Sequence, residues 1–156
     1  MEWEGVDLYT LCDEVLQSLM PVANKQEISL HLAGDEQTVR GVRQVLHEMI
    51  YNLCDNAIKY NRHGGSVTVT VGESGHRALV TVKDTGIGIP YDHQSRVFER
   101  FYRVDKSHSR AIGGTGLGLS IVKHAAALHN AEVKLQSQPE QGTVITVLFP
   151  GNEQNM

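Results

Sequence analysis

The apolar positions along the chain change period several times, and each change marks an element. Leu8, Leu11, Val15, Leu16 and Leu19 recur at helical spacing behind Asp7, a residue suited to an N-cap, and Pro21 is expected to end that helix. ISLHLAG (28–34) alternates and predicts a strand. From Glu36 to Tyr60, Val39, Val42, Leu46, Met49, Ile50, Leu53 and Ala57 follow the helical period, and the pattern stops at NRHGG. SVTVTVGESGHRALVTVKD (66–84) reads as two alternating strands around a glycine-containing turn. DTGIGIP then breaks the regularity. SRVFERFY predicts a short helix, RVDKSHSRAIGG a polar connection, and a last helix runs from about Leu117 to His129. AEVKLQSQ and GTVITVLFP close the chain as a strand pair turning at Pro139–Gly142. Helices interleaved with mostly antiparallel strand pairs predict an α+β two-layer sandwich, with helices covering one face of one mixed, mostly antiparallel sheet.

Bulk properties narrow the function classes. A chain of 156 residues suits one domain, here 1–150, with 151–156 as a frayed tail. A net charge of −4 gives no basic field, so neither nucleic acid nor a membrane surface is an expected partner. No apolar run is long enough for a membrane span, and MEWEGVDLY has no leader pattern. Cys12 and Cys54 lack metal or redox spacing and read as reduced thiols facing the core. The eight histidines form no ligand cluster.

Candidate chemistry sits in four places. In HEMIYNLCDNAIKYN, Asn52 and Asn56 share a helical face, with Lys59 and Tyr60 one turn later. Amide oxygens suit a hard cation such as Mg²⁺, and a lysine suits phosphate, although a solvated polar face has the same pattern. In DTGIGIP, Asp84 ends a strand where its carboxylate can accept from an exocyclic amine; a plain turn reads the same way. In RVFERFYR, Phe98 and Phe101 are core contacts for a short helix, and Arg103 could serve a phosphate. GGTGLGLS (113–120) puts four glycines in eight positions directly before a helix. Glycine costs about 1 kcal/mol in a helix interior. Such a loop suits close backbone approach to a phosphate at the helix N-terminus, or a hinge.

In that order these segments resemble the N, G1, F and G2 boxes of the catalytic, ATP-binding domain of bacterial sensor histidine kinases. The resemblance covers nearly the whole chain, from VDLYTLCDEVL to GTVITVLFP. It implies the Bergerat-type ATP-binding fold and a protein-histidine kinase that binds Mg-ATP and donates the γ-phosphoryl group to a histidine on a separate dimerisation hairpin. Residue by residue, it implies that Asn56 binds Mg²⁺ and that Asn52 supports the metal and phosphate region. Lys59 would contact phosphate, and Tyr60 would pack against the adenine. Asp84 would accept from the adenine amino group, and Gly86 and Gly88 would let the base approach. Gly114, Gly116, Leu117 and Gly118 would offer backbone N–H groups to the phosphates. Arg103 would neutralise charge near the γ-phosphate, and about 102–113 would form the ATP lid.

Departures matter equally. Related ATPases such as gyrase and the large heat-shock chaperones carry a water-activating Glu four residues before the metal-binding Asn; here that position is Asn52, which is no general base. Slow ATPase activity, a sigma-factor-directed serine kinase and a nucleotide-responsive docking module are the alternatives on the same fold. No segment reads as the phosphoacceptor hairpin, so the chain is expected to be an excised, monomeric catalytic domain. Its partners would be that hairpin and, downstream, a response regulator. The expected location is cytoplasmic, with the parent protein in the bacterial inner membrane.

Overall fold

A computed structural model of the chain describes residues 1–99 and 118–151. The elements are β1 (Glu4–Asp7), α1 (Leu8–Lys25), β2 (Ser29–Gly34), β3 (Thr38–Gly41), α2 (Arg43–Lys59), β4 (Ser66–Ser74), β5 (Arg77–Asp84), α3 (Tyr91–Gln94), α4 (Gly118–Leu128), β6 (Glu132–Gln138) and β7 (Gly142–Leu148). The main sheet has the order β2-β4-β5-β7-β6, parallel only between β2 and β4. The alternating strands put Val67, Val69, Val71, Val80, Val82, Ile145 and Val147 on one buried face. Against that face, α1 lies over β2 and β4, α2 over β4 and β5, and α4 packs on α2 and β6. One core results, floored by the valines and filled from above by Leu11, Val15, Leu19, Leu46, Met49, Ile50 and Leu53. The predicted α+β sandwich is therefore observed.

Asp7 caps α1, its Oδ1 accepting from the backbone of Tyr9 at 3.0 Å and Thr10 at 3.4 Å. Asp7→Ala should cost about 1 kcal/mol of stability, read by denaturant unfolding, and leave ligand binding unchanged. The helix does not stop at Pro21 but continues to Lys25. Pro21 removes one backbone donor, yet both it and Gln17, whose carbonyl loses that donor, are exposed. Burial of Leu19 and Ala23 holds the turn beyond it. The chain then reverses through Glu27, at φ 57°, into Ile28.

The helix expected from Glu36 begins only at Arg43. Thr38–Gly41 instead pairs antiparallel with Glu4–Asp7 as a two-stranded sheet, because Val39 and Val6 face the core from opposite partners of that pair. Tyr91–Gln94 forms one helical turn and Ser95–Phe98 forms turns, with Phe98 partly buried on the core, while the end of the short helix expected over SRVFERFY, from Arg100, lies outside the described residues. Phe101 lies outside the described residues.

At its far end α4 is tied down by His129, which is buried. Its Nε2 accepts from Val42 N–H at 3.0 Å, and Nδ1 lies 2.8 Å from the Ala125 carbonyl. An imidazole that accepts at Nε2 carries its proton on Nδ1 and donates to Ala125. Gly41 has no side chain because a Cβ there would meet the His129 ring at 2.9 Å. Cys12 and Cys54 are both buried and unpaired. Burial pushes the Cys12 thiol up to about 12 and raises Cys54 as well, so neither is a reactive thiolate.

Candidate functional site

The polar face of α2 and the start of α4 meet directly. The Asn52 amide nitrogen donates to the Glu48 carbonyl at 2.7 Å, and that of Asn56 to the Asn52 carbonyl at 2.9 Å. A carbonyl accepts only from the NH₂ end, so both carboxamides are oriented and their oxygens are turned from the helix backbone. Gly118 is the first residue of α4 and lies against this pair: a Cβ there would come within 2.6 Å of Asn56 Nδ2 and 3.3 Å of Asn52 Oδ1. The start of α4 thus lies against both carboxamides, with the Asn56 amide nitrogen and the Asn52 amide oxygen nearest Gly118, and no acidic side chain occupies that turn. Positive helix-end charge and hard oxygen ligands are what a metal–polyphosphate pair requires.

One turn along α2, Lys59 forms an ion pair with Asp55 at 3.0 Å, both side chains partly exposed. The sequence reading missed Asp55, although its i, i+4 spacing from Lys59 is visible in DNAIK. The pair tethers the ammonium near the C-terminal end of the helix. Tyr60 caps that end, half-buried, and its carbonyl accepts from Ile87 N–H at 3.1 Å.

Asp84 closes β5 opposite Thr143. Its Oδ1 accepts from Gly86 N–H at 2.9 Å and from Thr143 N–H at 3.2 Å. Burial raises the carboxyl to about 6, the two backbone donors opposing that rise without cancelling it. No buried side-chain oxygen among the described residues lacks a partner, so Oδ2, which has none there, keeps access to solvent. One oxygen is fixed and the other faces outward in a poorly solvated setting. That is a directed acceptor for an N–H donor.

The glycines of the following loop have an immediate packing reason. A Cβ on Gly86 would collide with the Tyr60 carbonyl and reach Asp84 Oδ1 at 2.9 Å. Gly88 adopts φ 72°, and a Cβ there would strike the Gln138 carbonyl. The loop is thus clasped between the end of α2 and the β6–β7 hairpin. Glu140 N–H adds a bond to the Ile87 carbonyl at 2.8 Å.

The structure therefore brings Asn52, Asn56 and Gly118 together, groups Asp84, Gly86 and Gly88, and links the two sets through the end of α2, at Lys59 and its cap Tyr60. Arg103, Gly114, Gly116, Leu117 and the expected lid at about 102–113 lie outside the described residues. Thr143, Ser137 and Asp55 were not foreseen as neighbours of the site. Thr143 and Ser137 lie on strands remote in sequence from Asp84.

The family model of histidine kinase-, DNA gyrase B-, and HSP90-like ATPases matches residues 41–153. The sensor-like histidine kinase SenX3 of Mycolicibacterium smegmatis is 43% identical over 148 residues, covering 94% of this chain and 38% of that protein. The sensor histidine kinase YkoH of Bacillus subtilis is 38% identical over 155 residues, covering 99% of this chain and 33% of that protein. The chain thus spans about a third or slightly more of these relatives. Among solved structures, the mycobacterial sensor histidine kinase MprB superposes with a TM-score of 0.83 at 29% identity, covering 96% of this chain and 98% of that one. Full-length ShkA in complex with AMPPNP superposes at 0.83 and 27% identity, covering 96% of this chain and 31% of that one. The catalytic domain of ThkA shares the fold over the full length of both chains, with a TM-score of 0.85. All of these matches extend over the segments that hold Asn52, Asn56, Asp84 and Gly118.

Proposed function

Because the chain belongs to the histidine kinase-, DNA gyrase B-, and HSP90-like ATPase family and is a catalytic ATP-binding domain of the sensor histidine kinase kind, we propose that it binds Mg-ATP between α2, α4 and the Gly86–Gly88 loop and donates the γ-phosphoryl group to a histidine on a separate helical hairpin. The observation that carries this reading is the seating of Gly118 on the oriented Asn52–Asn56 pair. The residues fit the magnesium ion: Asn56 offers an amide oxygen, and Asn52 supports the same region. When bound, Mg²⁺ supplies charge neutralisation on the phosphates.

Each side chain has a distinct task. Asp84 accepts from the adenine amino group through Oδ2. Tyr60 flanks the base. Lys59, released in part from Asp55, faces phosphate, and the N–H groups at the start of α4 hold the phosphate oxygens. Arg103, Gly114, Gly116 and Leu117 are proposed to complete the phosphate site. Positioning and charge neutralisation suffice for such a transfer, since a phosphoryl donor needs no protein nucleophile of its own.

Hydrolysis should be slow. Asn52 is not a base, and its amide is committed to the Glu48 carbonyl. The full-length protein is proposed to join this domain to a phosphoacceptor hairpin and to pass phosphate to a response regulator. Among the described residues no helix is long and apolar enough to cross a membrane; a membrane anchor for the parent protein is a proposal from its relatives.

Calorimetric titration with ATP, ADP and GTP, with and without Mg²⁺, tests the reading. Adenine-selective, Mg-assisted binding with negligible turnover is expected, and addition of a relative's phosphoacceptor hairpin should yield phosphohistidine. Asn56→Asp should alter the metal dependence and weaken Mg-ATP binding about tenfold, close to 1.4 kcal/mol. Rapid turnover without a hairpin would replace this reading with an ATPase. Absence of any binding would leave a docking module.

A further inference from the structure

The hydroxyl of Ser137, on β6, is buried at the centre of a hydrogen-bond cluster that touches both ends of the adenine-side loop. Its proton is donated to the Gly142 carbonyl at 2.9 Å. Its lone pairs accept from Ile89 N–H at 2.8 Å and from the Thr143 hydroxyl, also at 2.8 Å. A serine hydroxyl has one donor and two acceptor sites, so all three are filled and the Thr143 hydroxyl must be the donor in that pair. Gln94 closes the cluster, its amide nitrogen donating to the Ile89 and Ser137 carbonyls at 2.9 Å each.

The connectivity is what matters. Asp84 Oδ1 is held by Gly86 at the near end of the loop and by the Thr143 backbone. Ser137 binds Ile89 at the far end and the Thr143 side chain. Thr85 to Ile89 is therefore strung between two anchors that share one residue, Thr143. Resting on the nucleotide reading above, we propose that Ser137 is a positioning residue for base selection: its hydroxyl fixes the loop relative to the Asp84 carboxylate and so sets the preference for adenine over guanine.

Ser137 touches no nucleotide in this scheme. Its effect is on geometry. A carboxylate selects an amine over a carbonyl only if the base is held at hydrogen-bond distance, and a loop free to shift lets the wrong base relax away. Ser137→Ala removes three bonds, among them the one to Ile89 N–H, and leaves Ile89 held through its carbonyl by Gln94.

The test is titration of wild type, Ser137→Ala and Ser137→Thr with ATP and with GTP, alongside thermal melting. Ser137→Ala should weaken ATP binding about tenfold while leaving GTP nearly unchanged, so that selectivity narrows about tenfold; Ser137→Thr, which keeps the hydroxyl, should restore most of it. An Ala variant that loses ATP and GTP affinity equally, or that keeps the wild-type ratio, overturns the proposal, because a merely structural serine would shift both nucleotides together. If Ser137→Ala fails to fold, Gln94→Ala carries the same test with a smaller expected narrowing, and an unchanged ratio there overturns it. A wild-type chain that binds neither nucleotide would overturn the nucleotide reading itself, visibly in the wild-type arm alone.

Discussion

Asp84→Asn should bind ATP about 100-fold more weakly than wild type, a loss near 2.7 kcal/mol, while folding normally. The asymmetry of the carboxylate explains both halves of this result. Oδ1 is the acceptor for Gly86 and Thr143, and an asparagine keeps it. Oδ2 becomes an NH₂ group, so two donors would face each other when adenine binds, whereas the guanine carbonyl would gain a partner. ATP preference should therefore fall and GTP binding should hold or improve. If the variant unfolded with no selective loss, Asp84 would be a turn residue and nothing more.

The same residue sets a pH dependence. Its folded value, about 6, lies above the ordinary carboxylate value of 3.8. A raised acid stabilises the folded state fully below the unfolded value, and that contribution is lost as pH rises through about 6. Wild type should accordingly lose on the order of 2 kcal/mol between pH 4 and pH 7 from this group, discounted because one oxygen stays solvated. Asp84→Asn should flatten that part of the profile and melt no lower than wild type at pH 7.5. ATP affinity should move the opposite way, rising with pH through the same window as the carboxylate ionises. Melting curves and binding titrations across pH 4–8 would check both signs.

Gly118→Val should abolish Mg-ATP binding to a similar degree, at least about 100-fold. Even an alanine Cβ would lie 2.6 Å from Asn56 Nδ2. That amide cannot retreat without surrendering its bond to the Asn52 carbonyl, so the Asn56 side-chain oxygen, proposed to face the metal, turns with it. A branched side chain adds a second conflict, with Asn52 Oδ1 at 3.3 Å from the Cβ position. Stability should fall by only about 1 kcal/mol, since the affected groups border the cleft. Retained affinity in Gly118→Val would show that α4 and the asparagine pair do not share a ligand.

The sequence carried the strands of the main sheet well because each is half-buried, so Val67, Val69 and Val71 alternate visibly with Thr68 and Thr70. It carried the Asn52–Asn56 face for the same kind of reason, a spacing internal to one helix. What it hid depends on distant chain. Nothing local distinguishes Thr38–Gly41 from the start of the helix that follows; its pairing with Glu4–Asp7 decides. Pro21 is a sound stop signal that tertiary burial of Ala23 overrides. Thr143 and Ser137 belong to the hydrogen-bond cluster around Asp84 only because β7 and β6 are brought beside it by the sheet order. The glycines of DTGIGIP were legible as necessary, but their neighbours, the Tyr60 and Gln138 carbonyls, were not.

The sheet order has a consequence for biosynthesis. β7, the last strand among the described residues, is not an edge strand; it is inserted between β5 and β6. A nascent chain released only as far as Gln138 would hold β5 with one side unpaired and Asp84 without its Thr143 donor. The ribosome must therefore release residues through Leu148 before the sheet can close. Until then the exposed β5 edge is open to other strands, and nucleotide cannot serve as a template for early folding.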